Sequence, residues 1–269
     1  MKKIFYRLVE PGKQIPEERK LFSNEDLKKL VLPLFFEQLL MVLVGVVDTF
    51  MVSYAGEAAV SGVSLVNMFN TVFIYLFSAL SAGGAVVVSQ YIGSRDREQG
   101  KLSCGQLMMT STVFSLLMMG IVLLWNRPIL HLLFGEVEPE VMEACRTYLR
   151  ISAYSYPAIA IYDAGASIYR SMGKTKVTMY LSLLSNGINI VGNALGIFVF
   201  HAGVAGVAYP SLIARTVSAV VIVILCFQKK NEVYLQWKNL FHWNGRMIRR
   251  ILGIAIPNGV ENGLFQLTK

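Results

Sequence analysis

Acidic and amide side chains stand inside segments of this sequence that are otherwise apolar. Asp48 lies in an apolar run that begins near Leu30, and Asn189 and Asn193 lie in another run further along the chain. A lone carboxylate in an apolar environment needs a counter-charge, a proton or a bound cation. The residue types therefore predict reversible binding of a proton or a cation at Asp48.

Three asparagines in the second of these runs share one face. Asn186, Asn189 and Asn193 are spaced i, i+3 and i+7, which aligns the three amides along one side of a helix. That face cannot point at lipid, because unpaired amides are costly in hydrocarbon. For Asn186 we predict interhelical hydrogen bonding, since small residues nearby allow helices to approach closely. These small residues are Gly187, Gly192 and Gly196.

Helical rise places several polar residues at a common depth. Ser211 falls roughly 12 Å below the outer end of its helix, a level that Asp48, Asn189 and Asn193 share. Asn67 and Asn70 lie at a similar depth, so polar side chains from four helices converge on one level. The residues predicted to line a cavity or its vestibule are Glu37, Asn67, Asn70, Arg215 and Glu261.

The remaining charged residues in the runs have more than one interpretation. Glu37 lies near the cytoplasmic entrance, where a transport role and simple hydration are equally supported. For Asp163 we predict an ion pair with Arg170 or Lys174, which follow it by two helical turns or more. Arg215 either offsets the charge of Asp48 or serves as a structural or snorkelling side chain.

The apolar runs that carry these residues are long enough to cross a membrane. The chain has 269 residues, is 54% hydrophobic and 16% charged, and has a mean hydropathy of +0.51. These values exclude a soluble domain. About 20 apolar residues cross the hydrocarbon as a helix, and a seventh, partial run opens at Ile248. The six complete runs are residues 30–54, 58–92, 100–125, 144–169, 177–200 and 203–227.

The second run is longer than a bilayer requires, so it must tilt, bend near Gly83 and Gly84, or project into the cytoplasm.

Lysine and arginine alternate between the loops, which predicts the orientation of the chain. The segment before the first run and every second loop after it are rich in these residues. We therefore predict a multi-pass protein of the cell (plasma) membrane with a cytoplasmic N-terminus. Arg146 and Arg150 are the exceptions, because they fall on the predicted outer side, where we expect them to snorkel. The charge distribution predicts no nucleic-acid partner.

A short motif recurs six helices apart. Pro33-x-x-x-Glu37 in the first run matches Pro257-x-x-x-Glu261 in the seventh, each after a basic approach. A repeat across an even number of helices predicts two parallel halves and about twelve helices in total. We divide the chain into a cytoplasmic segment (1–29), a six-helix lobe (30–227), a cytoplasmic linker (228–247) and the first helix of a second lobe (248–269). The predicted fold is all-α, and a C-terminal lobe is expected as its partner.

No sequence motif indicates an enzyme. The sequence has no nucleotide-binding loop and no metal-ligand spacing, and its three histidines fall at or outside the ends of the runs. The cysteines, Cys104, Cys145 and Cys226, are interpreted as core residues. We expect no cofactor apart from H⁺ or Na⁺ as coupling ion.

The order of five segments resembles the multidrug and toxic compound extrusion (MATE) transporters. These segments are Pro33 to Val52, Gln90 to Gly93, Arg170 to Thr175, Asn189 with Asn193, and Gly203 to Ala208. The resemblance implies a two-lobed transporter in which the first-helix carboxylate, here Asp48, is linked to a proton or cation. The family usually shows Asn-x-x-x-Asp where this chain has Asn189 and Asn193, and the sixth-helix threonine is matched by Ser211. The resemblance therefore implies a cation- or proton-coupling site at Asp48, Asn189, Asn193 and Ser211, with Na⁺ as the candidate metal at Asp48. The missing carboxylate argues against tight Na⁺ coordination.

The resemblance implies secondary active efflux of cationic amphiphilic drugs or toxins from the cell, with the lipid bilayer and a small cationic molecule as partners. Two alternatives remain open. One is a lipid-linked oligosaccharide flippase of related architecture, which would need a cationic cavity. The other is a truncated lobe without transport activity.

Overall fold

The computed structural model describes residues 24–135 and 137–267, and this part of the chain is a bundle of helices without strands. Ten α-helices follow one another: α1 (Asn24–Ser53), α2 (Glu57–Gly93), α3 (Arg97–Leu124), α4 (Asn126–Phe134), α5 (Pro139–Tyr154), α6 (Tyr156–Ser171), α7 (Thr175–Ala194), α8 (Ala205–Cys226), α9 (Trp237–Phe241) and α10 (Gly245–Leu267). A π-helical turn, Leu195–Val199, extends α7. The predicted N-terminal segment up to residue 23, and the last two residues of the predicted second lobe, lie outside the described residues.

Five of these helices are long and apolar enough to cross a membrane: α1 from Leu27, α2, α3, α7 with its π turn, and α8. The predicted crossing at residues 144–169 is instead divided into α5 and α6, of 16 residues each. The division falls at Ser155, two residues before Pro157, whose ring cannot continue an upstream helix without a break. The seventh run forms α10, which begins three residues before Ile248.

Helix α2 lies at the centre of the bundle, where it packs against α3, α5, α6 and α10. It runs without interruption past the glycine pair at which a bend was one expectation. Gly83 instead makes room for α10, since a Cβ there would lie 2.7 Å from the Ala255 Cβ. Gly84 makes room for Leu107 of α3. The pair therefore allows close packing of α2 against α10 and α3.

Two apolar cores fill the bundle, one around Val66, Leu149 and Val207 and the other around Leu107, Ile222 and Ile251. All three cysteines are buried and free, as predicted. Many apolar side chains on α1 and α3 are exposed, which is expected of helices that face lipid or another apolar partner.

The linker between α8 and α10 is held against α3 by one buried side chain. Gln106 Nε2 donates hydrogen bonds to the carbonyl oxygens of Asn239 (2.8 Å) and His242 (2.7 Å). Its Oε1 accepts from the backbone N–H of Asn244 at 2.9 Å. Every hydrogen-bonding group of the Gln106 amide thus has a partner, and the linker has a fixed path over the end of the bundle.

Candidate ion-coupling site

The four residues predicted to form the coupling site are hydrogen-bonded to one another in a chain. Asn193 Nδ2 donates to Asp48 Oδ1 at 2.7 Å and to Asn189 Oδ1 at 3.2 Å. Asn189 Nδ2 in turn donates to Ser211 Oγ at 2.8 Å. Three helices, α1, α7 and α8, therefore meet at a single polar cluster.

Close packing of α7 on α8 positions this cluster. Asn189 and Asn193 are one helical turn apart on α7, so both amides face the same neighbours. Gly196 lies against the backbone of Gly206, and a Cβ on Gly206 would stand 2.7 Å from the Gly196 carbonyl oxygen. Gly192 lies equally close to Pro210. These contacts allow the short side chain of Ser211 to reach Asn189.

The Asn193 amide has an unused acceptor. Its Oδ1 atom is buried and has no hydrogen-bond partner in the described part of the chain, while the residue is 0% exposed. A buried carbonyl oxygen without a donor is costly, by about 1 to 3 kcal/mol. Beside the Asp48 carboxylate, this oxygen is available to a proton donor or to a hard cation.

A second polar network joins α2 to α5 and α6. The Tyr148 hydroxyl donates to Asn67 Oδ1 at 3.1 Å, and the Tyr156 hydroxyl donates to Asn70 Oδ1 at 2.7 Å. Both predicted asparagines of α2 are therefore occupied by tyrosines of α5 and α6. They are not hydrogen-bonded to Asp48.

Arg215 of α8 belongs to this second network. Its Nη1 donates to Ser155 Oγ at 2.7 Å, at the break between α5 and α6. The guanidinium also interacts electrostatically with Asp48 and Asp163, without an ion pair to either. Arg215 thus makes a structural contact and also contributes positive charge near Asp48, which agrees with both of its interpretations.

Glu37 and Glu261 lie away from the cluster. Glu37 is buried and accepts from Thr178 Oγ1 at 3.1 Å, and its Oε1 lies 3.7 Å from Arg170 Nη2. Glu261 is on an exposed face of α10. The set predicted to line the cavity is therefore distributed over three separate surroundings.

The predicted ion pair of Asp163 is not formed. Arg170 pairs with Glu37, and Asp163 has no ion pair in the described residues. Asp163 and Arg170 instead line a cavity of about 240 Å³ together with Ser81. The prediction was wrong because it considered only residues close in sequence, whereas α1 brings a carboxylate to Arg170 from 133 positions away.

Asn186 also departs from its prediction. Its Nδ2 is buried without a hydrogen-bond partner in the described structure, so it does not join helices through hydrogen bonds. Asn189 and Asn193 perform that function one and two turns further along the helix.

Sequence reasoning missed Tyr148, Ser155 and Tyr156. Tyrosine hydroxyls in a span are easily taken for membrane-interface groups. Pro157 could have indicated this site. A proline inside a predicted helix marks a break, and the backbone groups that the break leaves unpaired attract polar side chains.

The helices and the buried polar cluster define an all-helical, multi-pass membrane protein with the architecture of one transporter lobe. A family model described as MatE matches residues 33–195, which is more than half of the chain. The chain therefore belongs to the MatE family, a family of transporters.

Similar proteins agree with this assignment. The chain is 28% identical over 244 residues to an uncharacterized transporter, YisQ, of Bacillus subtilis, covering 89% of this chain and 53% of the relative. It is 28% identical over 262 residues to the probable multidrug resistance protein NorM of Thermotoga maritima, covering 95% and 54%. The chain thus spans about half the length of the curated relatives it matches.

Solved structures show the same fold. An outward-facing multidrug resistance MATE family transporter of the MOP superfamily superimposes with a TM-score of 0.81 at 22% identity, covering 88% of this chain and 52% of that one. A MOP superfamily transporter from Pyrococcus furiosus, described as having a binding pocket of reversed polarity, gives the same values.

Proposed function

We propose that this chain provides one lobe of a secondary active transporter that exports cationic amphiphilic drugs or toxins in exchange for protons or sodium ions. Asp48 is the coupling carboxylate in this proposal. A bound proton or cation there shifts the equilibrium between outward- and inward-facing states, because it binds one state more tightly than the other. The chain would act together with a second lobe in the cell membrane, with its N-terminus in the cytoplasm.

The observation that carries the proposal is the environment of Asp48. Its carboxylate is hydrogen-bonded to an amide, and no lysine or arginine lies within ion-pair distance of it in the described residues. Amide donors stabilise a negative charge without cancelling it. Arg215 adds positive charge at longer range without pairing with Asp48, so the site leaves room for a proton or cation from solution.

The oxygen atoms around Asp48 support a proton as the coupling ion more than Na⁺. Asp48 supplies one carboxylate, Asn193 supplies a free carbonyl oxygen, and Ser211 supplies a hydroxyl. This set fits a proton well, and it fits Na⁺ weakly because hard cations are held most tightly by several charged and carbonyl oxygens together. No other cofactor enters the proposal.

Relatives support efflux of foreign compounds. Besides the probable multidrug resistance protein, the multidrug export protein MepA of Staphylococcus aureus is 23% identical over 84% of this chain. The flippase alternative has less support, because it needs free cations to hold a pyrophosphate. Arg215 is the deep cation predicted from the sequence, and its guanidinium is hydrogen-bonded to Ser155.

The experiment uses the intact protein in liposomes with an imposed pH or Na⁺ gradient and ethidium as the transported cation. We expect Asp48→Asn to reduce gradient-driven ethidium transport to the level of empty liposomes, since the amide cannot take up a proton. Glu37→Gln is the matched control, because it removes a carboxylate from the same helix, and it should keep most of the activity.

Transport by Asp48→Asn at the wild-type rate would overturn the proposal, as would a wild-type protein that moves no ethidium under either gradient. Response to only one of the two gradients identifies the coupling ion.

A further inference from the structure

A cavity of about 910 Å³ opens where α3 ends and α5 begins, away from the Asp48 cluster. Helices α3, α4 and α5 form its walls. This is the end of the bundle that the charge pattern predicts to face outward, and neither the family match nor the proposed function gives the cavity a role. Its lining includes Arg127, Glu143, Arg146, Arg150 and Tyr154.

The cavity has an excess of positive charge. Among the described residues that line it, three arginines face a single carboxylate, that of Glu143. Within the described residues, none of the three guanidinium groups makes an ion pair or a hydrogen bond. The cavity therefore presents several unoccupied N–H donors in one place.

The arginines of α5 lie together on one exposed face of the helix. Glu143, Arg146 and Arg150 follow that face at intervals of three and four residues, so Arg146 and Arg150 are one turn apart. Like charges at this spacing repel each other. A counter-anion that enters the cavity removes that repulsion.

The rim of the cavity is apolar and exposed. Leu124 is 79% exposed, Trp125 is 54% exposed and Tyr154 is 48% exposed, and the exposed face of α3 continues from them through Ile121 and Leu117. Tryptophan and tyrosine are enriched where the bilayer meets water. An occupant that satisfies both parts of this surface has an anionic head and hydrocarbon chains.

We propose that this cavity is a binding site for the phosphodiester headgroup of an anionic phospholipid. Arg146 and Arg150 bind the phosphate oxygens, because the planar guanidinium matches two oxygens at once. Arg127 adds a third cation from α4. The acyl chains lie along the exposed apolar face of α3.

The test is native mass spectrometry of the intact protein in detergent, with phosphatidylglycerol or phosphatidylcholine added at equal concentration. We expect phosphatidylglycerol to bind about tenfold more tightly, a ratio that corresponds to 1.4 kcal/mol. The double variant Arg146→Gln and Arg150→Gln should reduce this ratio of affinities to about twofold or less.

Matched variants separate the site from general charge effects. Arg97→Gln combined with Arg249→Gln removes two exposed arginines from the opposite end of the bundle and should leave the preference unchanged. Arg146→Lys with Arg150→Lys should retain most of it. Glu143→Gln should strengthen phosphatidylglycerol binding, because it removes the opposing carboxylate.

Three results would overturn the proposal: equal binding of the two lipids, equal losses in the cavity variant and its matched control, or displacement of phosphatidylglycerol by excess inorganic phosphate. The last result would assign the cavity to free anions. If the cavity variant does not fold, Glu143→Gln tests the same site, and unchanged phosphatidylglycerol binding by that variant would overturn the proposal.

Discussion

Asp48 and Glu37 are two carboxylates on one helix, eleven residues apart and on nearly the same face, yet their surroundings differ. Glu37 is buried beside Arg170 and accepts a hydrogen bond from Thr178. Asp48 is hydrogen-bonded to Asn193 and has no arginine or lysine at ion-pair distance in the described structure. A carboxylate paired with an arginine holds two helices together, whereas one whose hydrogen-bond donor is an amide can exchange a counter-ion.

The largest effect is expected from separating α7 and α8 beside the Asp48 cluster, at the opposite end of α7 from Thr178, which contacts Glu37. Gly196→Ala places a methyl group against the Gly206 backbone. Overpacking of backbone against backbone should cost about 3 kcal/mol of stability, at the upper end for such changes. We expect a lower unfolding temperature in detergent together with loss of ethidium transport.

Gly187→Ala on the same helix is the control, because a Cβ there meets no atom within 4 Å. It should be neutral or slightly stabilising, since alanine is the better helix former. Equal melting temperatures for the two variants would contradict the close contact of α7 and α8.

An intermediate effect is expected when Asp48 loses its amide donor. Asn193→Ala removes the hydrogen bonds to Asp48 and Asn189, and a hydrogen bond to a charged group contributes about 2 kcal/mol. The variant should unfold at a lower temperature and transport more slowly. Asn193→Asp sharpens the comparison further, since a second carboxylate should strengthen Na⁺ binding, as measured by Na⁺-dependent thermal stabilisation.

If Asn193→Asp shows no greater response to Na⁺ than the wild-type protein, the oxygen atoms around Asp48 do not form a cation site.

The smallest effect is expected from making Glu37 resemble Asp48. Arg170→Gln leaves the Glu37 carboxylate buried without a cation, but the Arg170 side chain is 40% exposed and solvent screens the pair. The loss of stability should be about 1 kcal/mol. It should nearly vanish when Glu37→Gln is already present, as a double-mutant cycle of unfolding free energies would show.

An additive cycle would mean that Arg170 stabilises the bundle through packing and not through Glu37.

The sequence predicted the Asp48 cluster because depth and helical face can be counted along a helix. Asn189 and Asn193 lie one turn apart, and rise alone puts Asp48 and Ser211 at their level. The MatE assignment was likewise predictable from the order of short segments, and the matched family model confirms it. The predicted domain boundaries, coupling roles and orientation remain predictions.

The rotation of each helix about its own axis could not be predicted by counting residues. Asn67 and Asn70 share the depth of Asp48, yet their helix turns them toward Tyr148 and Tyr156. The partner of Arg170 likewise depends on how α1 crosses α6, which packing over the whole bundle decides. Such contacts become visible only when helices are placed in three dimensions.

Gln106 has a consequence for the order of events during synthesis. Its partners Asn239, His242 and Asn244 follow it by more than 130 residues, so they leave the ribosome after all of the first eight helices. Until then its side chain, which ends fully buried, must remain hydrated or stay unpaired in an apolar setting. The six-helix lobe is therefore complete only after the linker that follows it has been synthesised. The linker is a structural part of that lobe as well as a connection to the next helix.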